Sequence, residues 1–461
     1  MGDLQEKEAK SSAHVEQHIN TDMEDLKSAQ VGDRVDHEVQ KYAGMGRVDV
    51  DEPTSRRLKK LIDRRVLTIM VATYLVQALD KGTLSFTSIM GILDDTHLHG
   101  TQYAWLSTCV YLSILVVEYP TNWIIQRREE QAQTVTFWYM MNGFQQMIGG
   151  LLAYLFSLIG TDKVIKSWQA LFITYGCFSV LFGVFVLLFM PDSPMTAKCF
   201  SEEDKRLMVE RVRDNRTGIQ NKTFRKYQVI EALKDPQMWC YCGIQLFTTL
   251  PTSGLGTFAN IIIKGFHFTT LQTQLLSMVL GAYIIFVLVS SMWLVKKTNQ
   301  NLIVMAAYCI PSFIGTIVLM TVQNKTTATK AGLLMSYYIT LSFWAAQTLT
   351  LSMISRNIAG QTKKSTVIAA NFIAWATGNA IGPQIFLTRD APRYFTAFSI
   401  HLGCYTLLEL VLLYLRFHLK RQNEKKDQLG SAEELESEVA PDFEGFEDLT
   451  DRENLRFRYV Y

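Results

Sequence analysis

Ten long apolar runs constrain the fold of this chain more than any other feature of its sequence. Each holds roughly 20 residues, about the number that an α-helix needs to cross ~30 Å of hydrocarbon. They lie at residues 66–90, 103–125, 134–160, 167–190, 236–263, 271–295, 301–322, 331–353, 365–388 and 394–416. A backbone in lipid must satisfy its own hydrogen bonds, and runs of this length without strand-like alternation are typical of helices. The sequence therefore predicts an all-α membrane protein that spans the lipid bilayer ten times.

Polar residues are concentrated at the two ends of the chain and in one long loop between the apolar runs. This pattern predicts a disordered cytosolic N-terminal tail at 1–65 and an acidic cytosolic C-terminal tail at 417–461. Between the tails we expect a four-span bundle at 66–190, a cytosolic linker at 191–235 and a six-span bundle at 236–416. The two bundles are unequal.

The linker and the acidic tail each carry a more specific pattern. Ser201 followed by Asp204 is the pattern of a capping box, which predicts the start of a short amphipathic helix. The apolar positions of that helix would be Leu207, Met208, Val209 and Val212. Residues 431–453 hold ten acidic residues and one basic residue, which is typical of a solvated segment without a packed core.

The basic residues orient the spans. Six Lys and Arg residues between 56 and 65 precede the first span, which places the N-terminus in the cytosol. The loops that should then be cytosolic hold 17 basic residues, whereas the loops on the opposite side hold 7. Both termini are therefore predicted to lie on the cytosolic side, and a plasma-membrane location is expected.

Composition and motifs exclude several classes of function. The formal net charge is +2, and no basic stripe with interleaved aromatic residues indicates nucleic-acid binding. Cys240 and Cys242 form a CxC pair inside an apolar run without further Cys or His at ligand spacing, so packing is favoured over a metal site. The sequence has no nucleophile elbow, HExxH, Walker loop or dinucleotide fingerprint. An enzyme and an ATP-driven pump are both disfavoured, and no cofactor is expected.

Formal charges inside the apolar runs point to function because they are expensive there. Asp80 and Lys81 lie in the first run, Glu118 in the second and Glu409 in the last. Each costs at least about 2.5 to 3.5 kcal/mol at the bilayer centre on insertion scales. Adjacent helical side chains point about 100° apart, so Asp80 and Lys81 are not expected to neutralise each other.

These charges have a functional and a structural interpretation. Lys81 would attract an anionic substrate, and Asp80 or Glu118 would bind and release a proton as the cavity changes its exposure to water. In the structural alternative, Lys81 extends to the membrane surface and Asp80 makes a polar contact between helices. Glu118 and Glu409 lie near the cytosolic ends of their spans, where the same extension is inexpensive.

Amide side chains are concentrated in two of the spans. Asn142 and Gln145 lie in the third run, and Asn379 and Gln384 lie in the ninth. Taken singly, such residues more often connect helices than bind ligands. Their concentration favours a cavity wall, so we predict all four as substrate-binding residues.

Five segments resemble a known family. They are VYLSILVVEYPTNW (110–123), REEQAQTVTFWYMMNGFQQMIGGLLAY (128–154), VERVRDNRTGIQNKTFRKYQVIEALKDPQMW (209–239), NIAGQTKKSTVIAANFIAWATGNAIGPQIF (357–386) and DLTDRENLRFRYVY (448–461). They are similar to the fungal allantoate permease family, a branch of the anion:cation symporters in the major facilitator superfamily. The resemblance implies two six-helix bundles and alternating access to a site near the midplane of the membrane. It also implies transport of small carboxylates such as allantoate, nicotinate or pantothenate, typically with protons.

The chain departs from this family in its first half. Relatives have two more spans between the NW of the second helix and the REEQ segment, whereas NWIIQRREEQ joins them directly here. The sequence therefore predicts a major facilitator fold that lacks the third and fourth helices, with 4 + 6 spans. The resemblance further places Gly382 and Pro383 in a kinked eleventh helix, where they would act as a gating hinge or allow tight packing.

Together these features predict a monomeric secondary active transporter that couples proton flow to uptake of a small organic anion. One rival keeps the fold and exports a secondary metabolite instead. Another rival is a receptor-like or defective truncated paralogue without transport activity, which the missing helices favour.

Overall fold

The computed structural model describes residues 51–125, 132–159, 164–190, 200–207, 225–433 and 449–461 other than 455. These residues fall into two compact units. The first unit holds the described residues up to Leu67 together with residues 189–190 and 200–207, and the second holds the rest. Within the described ranges the regular structure is entirely helical. The predicted all-α fold class is therefore confirmed.

The first unit contains a helix where a disordered tail was expected. Helix α1 (Glu52–Ile62) continues into a π-helical turn at Asp63–Leu67. Apolar residues recur in α1 with helical spacing, Leu58 is fully buried, and Arg57 pairs with Asp204. The prediction of disorder is therefore wrong for residues 52–65, because periodicity outweighs their polar composition. Residues 1–50 lie outside the described part of the chain.

The linker helix begins at the predicted cap. The backbone N–H of Asp204 donates to Ser201 Oγ over 3.1 Å, and residues 202–207 are helical. Met208, Val209 and Val212 lie outside the described residues.

The second unit contains twelve labelled helices. In chain order they are α2 (Thr68–Thr87), α3 (Gln102–Ile125), α4 (Ala132–Ser157), α5 (Ser167–Phe189), α6 (Lys226–Lys234), α7 (Pro236–Gly265), α8 (Thr270–Thr298), α9 (Asn301–Thr321), α10 (Thr327–Thr340), α11 (Trp344–Asn357), α12 (Gln361–Ile381) and α13 (Phe395–Glu433). A short 3₁₀ turn at Leu341–Phe343 joins α10 to α11 within the eighth apolar run. Every predicted span is helical, with α2–α5 in the first half of the chain and α7–α13 in the second.

Five of these helices, α5, α7, α8, α9 and α13, are by themselves long and apolar enough to cross a membrane. Several of the other helices are interrupted by polar residues or by a break in the helix. Helix α2 carries Asp80 and Lys81, α10 and α11 are separate pieces of one span, and α12 opens with the polar sequence QTKKST. Polar residues within spans are therefore concentrated on particular helices.

Glycines let the two halves pack backbone to backbone where α4 crosses α8. A Cβ atom added to Gly281 would lie 2.4 Å from the carbonyl oxygen of Gly143, and one added to Gly143 would lie 2.8 Å from the carbonyl oxygen of Gly281. A Cβ at Gly150 would lie 2.7 Å from the carbonyl oxygen of Gln274. Such close approach maximises dispersion contacts between helices in lipid, where hydrophobic burial contributes little.

The first half has a much smaller core than the second. Its buried cluster consists of Leu79, Phe86, Met90, Ala153, Leu171 and Tyr175, whereas the larger cluster extends through α7–α13. Helix α5 buries only Ser167, Leu171 and Tyr175. Four helices offer fewer mutual faces than six, and most side chains of α5 are exposed. This asymmetry agrees with the predicted loss of two helices.

The C-terminal tail also differs from its prediction. Helix α13 continues without a break to Glu433, and residues 449–461 pack against the second half, with Thr450 and Asp451 fully buried. Disorder is therefore wrong for these two stretches, while residues 434–448 lie outside the described part. The linker range contains a further helix, α6, that composition did not reveal. The division into two bundles at the predicted boundaries stays a prediction.

Candidate functional site

Asp80 and Lys81 lie next to each other on α2 but contact different helices. Ser179 Oγ on α5 donates a hydrogen bond to Asp80 Oδ2 over 2.7 Å. The Lys81 ammonium lies 5.8 Å from the centroid of the Trp375 ring on α12. Both charged side chains are exposed. Asp80 therefore faces its own half of the protein, whereas Lys81 faces the other half.

An aromatic group surrounds the position that Lys81 faces. The Tyr111 ring on α3 meets Trp375 edge to face, with 5.8 Å between the ring centroids, and Phe372 lies 5.2 Å from Trp375. A cation within about 6 Å of an indole face is attracted by its quadrupole, typically by about 0.5 to 1 kcal/mol at an exposed site. Lys81 is thereby held beside Trp375, between α2 of the first half and α12 of the second.

The predicted amides on α4 lie against the same helix as Lys81. Gln145 is only 5% exposed, and a Cβ added to Gly82 would lie 1.9 Å from its Nε2 atom. That Nε2 atom has no hydrogen-bond partner among the described residues. Asn142 Nδ2 donates to Tyr74 Oη over 3.1 Å. Buried polar groups are usually paired, so the unpaired donor of Gln145 is an exception, and it lies against the turn of α2 that carries Lys81.

The predicted amides of the ninth apolar run, Asn379 on α12 and Gln384 in the 3₁₀ turn that follows it, lie elsewhere. Asn379 Nδ2 donates to the backbone carbonyl of Trp375 in the preceding turn of α12. The backbone carbonyl of Asn379 accepts a hydrogen bond from Ser253 Oγ on α7 over 2.8 Å. Gln384 Nε2 donates to Thr108 Oγ1 over 2.9 Å. The side-chain amide of Asn379 is therefore used within α12, whereas that of Gln384 connects to α3, and no described contact joins either amide to Lys81. Their assignment to substrate binding stays a prediction without support from this geometry.

Gly382 and Pro383 begin a 3₁₀ turn directly after α12 ends at Ile381. A Cβ at Gly382 would lie 2.5 Å from the carbonyl oxygen of Leu250, and one at Gly254 would lie 2.8 Å from the carbonyl oxygen of Gly382. The geometry therefore supports tight packing of α12 on α7. The hinge role stays a prediction. Glu118 lies on α3, but its side chain is outside the described part of the chain.

Hydrogen bonds that join the two halves gather at the end of the bundle where α2 ends and α3 begins. We call this the outer end, since it is predicted to face away from the cytosol. Tyr103 Oη contacts the carbonyls of Thr257 and Leu84 over 2.9 and 3.2 Å, and Ser107 Oγ lies 3.1 Å from Thr257 Oγ1. Asn260 Nδ2 donates to Ser85 Oγ over 3.3 Å. We call Ser85, Tyr103, Ser107, Thr257 and Asn260 the outer seal.

The outer seal was not predicted from the sequence. Ser, Thr and Tyr are common in apolar helices and carry no spacing signal, and partners such as Tyr103 and Thr257 are 154 residues apart. The one sequence signal was Asn260, an amide within the fifth apolar run.

Replacing Tyr103 with Phe should loosen the outer seal, because the hydroxyl contacts both halves. Losing about 1 kcal/mol of net hydrogen bonding corresponds to roughly fivefold easier opening. The reporter is Ser85→Cys in a background where the exposed Cys109 and Cys177 are serines, labelled from outside by a membrane-impermeant thiol reagent. We expect labelling to become about fivefold faster. The control Tyr154→Phe, on α4, should be labelled as fast as the parent reporter protein. Equal labelling rates in the parent, Tyr103→Phe and Tyr154→Phe proteins would contradict the assignment.

The chain is similar to several known transporters. The sequence profile of the Major Facilitator Superfamily matches residues 125–383. An uncharacterized transporter of Schizosaccharomyces pombe is 30% identical, over 89% of this chain and 91% of that protein. The allantoate permease of Saccharomyces cerevisiae is 27% identical, over 93% and 91%. A bacterial homologue of the human lysosomal transporter Spinster has a similar fold, with a TM-score of 0.50 at 11% identity over 76% of this chain and 95% of that one.

One of these alignments also bears on the short first half. The alignment with the S. pombe transporter has 469 positions, although it includes only 89% of a 461-residue chain. The relative therefore has residues without counterparts here, which agrees with the predicted loss of a helix pair.

Proposed function

This chain belongs to the Major Facilitator Superfamily, in its allantoate permease-like branch, and from that premise we propose that it transports a small organic anion together with protons. Membership of the family makes it a multi-pass membrane protein and a secondary transporter. The proton gradient would supply the free energy, so no cofactor takes part. The plasma membrane, two cytosolic termini and a monomeric state belong to the same proposal.

The position of Lys81 carries the proposal. Its ammonium extends from the first half toward Trp375 in the second half, 5.8 Å from the ring centroid. An anion bound there would contact both halves at once, which alternating access between two bundles requires. The unpaired Nε2 atom of Gln145, beside Gly82, offers a neutral donor next to the same turn of α2.

Asp80 supports the proton-coupling part of the proposal. Its carboxylate accepts a hydrogen bond from Ser179 and is exposed, so a proton could reach it through a wetted cavity. A carboxylate in a membrane span is costly when charged, and closing the cavity would favour its protonated form. Glu118 is the alternative proton-binding residue. The closed outer seal corresponds to a state that opens toward the cytosol, where an anion and a proton would be released.

The names of two relatives guide the choice of anion. One is an allantoate permease and another is a thiamine pathway transporter, both of Saccharomyces cerevisiae and each 27% identical to this chain. We propose a small carboxylate of the allantoate, nicotinate or pantothenate type, because a single ammonium flanked by aromatic rings suits one carboxylate on a compact organic body.

Uptake measurements test this function. This chain is expressed in a yeast strain without its own permeases, and labelled allantoate, nicotinate and pantothenate are offered with and without a protonophore. We expect accumulation of at least one of them above the empty-vector control, and its loss on addition of the protonophore. Accumulation that the protonophore leaves unchanged would rule out proton coupling.

A second candidate is a receptor-like or defective paralogue that does not transport. The small core of the first half and the largely unpacked α5 favour it. The same assay separates the two candidates, because a chain that reaches the membrane but accumulates none of the three anions would support the second. A version with the two helices of a relative inserted between residues 126 and 131 is the matched control.

A further inference from the structure

Residues 449–461 other than 455 pack across the inner ends of α7, α11, α12 and α13, with a turn at 451–453 followed by an irregular stretch at 457–461. We call this segment the strap. Its sequence, LTDRENLRFRYVY, follows the acidic part of the tail. Thr450 and Asp451 are fully buried, and Tyr459 is 5% exposed. A polar tail with no role would remain solvated, so these contacts require an explanation.

An ion-pair cluster anchors the start of the strap. The fully buried ammonium of Lys363, at the start of α12, lies 2.7 Å from Asp451 Oδ1 of the strap. The same ammonium lies 2.9 Å from Glu231 Oε1 on α6 and 2.9 Å from Asp235 Oδ2 before α7. Arg452 of the strap reaches Asp235 Oδ1 over 3.0 Å. The strap therefore adds one charge of each sign to a buried cluster.

The carboxylates of this cluster compensate for the burial of the Lys363 ammonium. Burial alone would lower the pKa of Lys363, but the carboxylates of Asp451 and Asp235 raise it above its usual value. The second carboxylate oxygen of Asp451 accepts from Tyr459 Oη over 2.7 Å, and its first also accepts from the backbone N–H of Ala359. An asparagine at position 451 would turn its N–H₂ group toward groups that are themselves donors, the Lys363 ammonium or the Tyr459 hydroxyl. Removing one partner of a buried ion pair is strongly unfavourable.

Two asparagines hold the end of the strap as a neighbouring strand would. Asn357 at the end of α11 donates to the carbonyl of Val460 over 2.8 Å and accepts from its N–H over 2.7 Å. Asn423 on α13 donates to the carbonyl of Tyr459 over 2.9 Å and accepts from its N–H over 2.8 Å. Both backbone groups of two consecutive residues are thereby satisfied from opposite sides. Such pairing selects an extended backbone, whatever the side chains.

Aromatic side chains complete the contact. Lys426 on α13 lies 5.3 Å from the Phe457 ring centroid and 5.0 Å from that of Tyr459, and its ammonium donates to the carbonyls of Asp451 and Asn454. Arg416 lies 5.2 Å from the Tyr461 ring centroid. Cations on the helices thus pair with aromatic rings on the strap.

We propose that the strap is an intramolecular ligand of the second half, which fixes the start of α12 relative to α11 and α13. Helix α12 carries Trp375, so the strap is a positioning element for the site that faces Lys81; this last consequence rests on the proposed function. The recognised feature is a peptide with a buried carboxylate in a turn at position 451 and aromatic residues at 457, 459 and 461.

The first test cuts the backbone that links the strap to α13 after the protein has folded. A protease site inserted between residues 434 and 448 of the full chain allows cleavage in detergent, followed by washing and hydrogen–deuterium exchange. We expect the cut strap to stay bound through the wash. A synthetic peptide of residues 449–461 carrying Asp451→Asn should fail to exchange with it, whereas the unaltered peptide should exchange. Displacement by both peptides alike would overturn specific recognition.

The second test measures what the strap holds in place. In a chain that ends at residue 448 and so lacks the strap, hydrogen–deuterium exchange should rise at least about tenfold at residues 357–366 and change less than twofold in α9. Unchanged exchange at 357–366 after the strap has been removed would overturn the positioning role. Neither readout needs transport, so a failure here is distinct from a failure of the proposed function.

Binding of the fluorescently labelled peptide to the chain that ends at residue 448 supplies the matched control. We expect saturable binding, weakened at least about tenfold by Asp451→Asn. Arg458→Ala should change it less than about threefold, since Arg458 pairs with Asp427 where both side chains are largely exposed. Equal binding of the two variants would contradict the buried ion-pair anchor.

Discussion

Replacing Lys81 with Met should reduce anion uptake at least about tenfold while leaving the amount of folded protein unchanged. Methionine keeps the length and apolar stem of lysine but removes the ammonium charge beside Trp375. A carboxylate in a low-dielectric cavity without a counter-charge loses several kcal/mol of stabilisation, far more than the exposed cation–π contact contributes. Initial rates of uptake over a range of anion concentrations measure the effect.

Lys297→Met is the matched control for this prediction. Lys297 lies over a tryptophan as well, 5.1 Å from the Trp293 ring centroid, but near the end of α8, outside the site. Its replacement should leave uptake within about twofold. The pair is measured both in this chain and in the version with a restored helix pair. Undiminished uptake by both Lys81→Met proteins would contradict the assignment of Lys81.

Replacing Gly281 with Leu should prevent the two halves from assembling. Any Cβ at this position lies 2.4 Å from the carbonyl oxygen of Gly143, and a backbone atom of a packed helix cannot move aside as a flexible side chain can. Overpacking typically costs about 1 to 3 kcal/mol and more where two backbones are in contact. We expect loss of the monodisperse peak in size-exclusion chromatography, or a melting temperature lowered by at least about 10 °C.

Gly183→Leu controls for the general effect of inserting a large side chain into a span. A Cβ at Gly183 on α5 would meet no atom within 4 Å. This variant should melt within about 2 °C of the parent. Similar melting of the two variants would mean that the α4–α8 crossing is not a close backbone contact.

The helices could be predicted from the sequence because lipid imposes a simple rule. A span must be long, apolar and internally hydrogen-bonded, and each of the ten runs that satisfied this rule is helical. The same rule singled out Asp80 and Lys81 as costly exceptions, and adjacent helical positions predicted that the two would face different partners. The contacts with Ser179 and Trp375 agree with that expectation.

Pairings between distant residues could not be predicted in this way. Nothing in the sequence around Gly143 and Gly281 indicates that their backbones meet where α4 crosses α8. Likewise, Asn379 and Gln145 are both amides within apolar runs, so the sequence does not tell their roles apart. The geometry separates these two amides, since the Asn379 side chain donates to a carbonyl of its own helix while the Nε2 atom of Gln145 has no partner among the described residues. Which face of a helix meets which neighbour is a tertiary property.

The strap shows where composition misleads. Ten acidic residues between 431 and 453 suggested a solvated tail, but the buried part begins at Thr450 and ends in FRYVY. The net charge averaged over the whole C-terminal tail does not reveal the short aromatic segment that follows the acidic residues. The signal was available as Phe457, Tyr459 and Tyr461 in alternation with Arg458 and Val460, which is a strand-like pattern.

The central claim is that an anion passes Lys81 with a proton, and purified protein in sealed liposomes tests it most directly. An inward gradient of the accumulated anion is imposed without a pH gradient, and a trapped pH indicator follows the lumen. We predict that the lumen acidifies with the same time course as anion entry, and that neither occurs with Lys81→Met. Anion entry without a pH change, or equal entry through the Lys81→Met protein, would contradict the account.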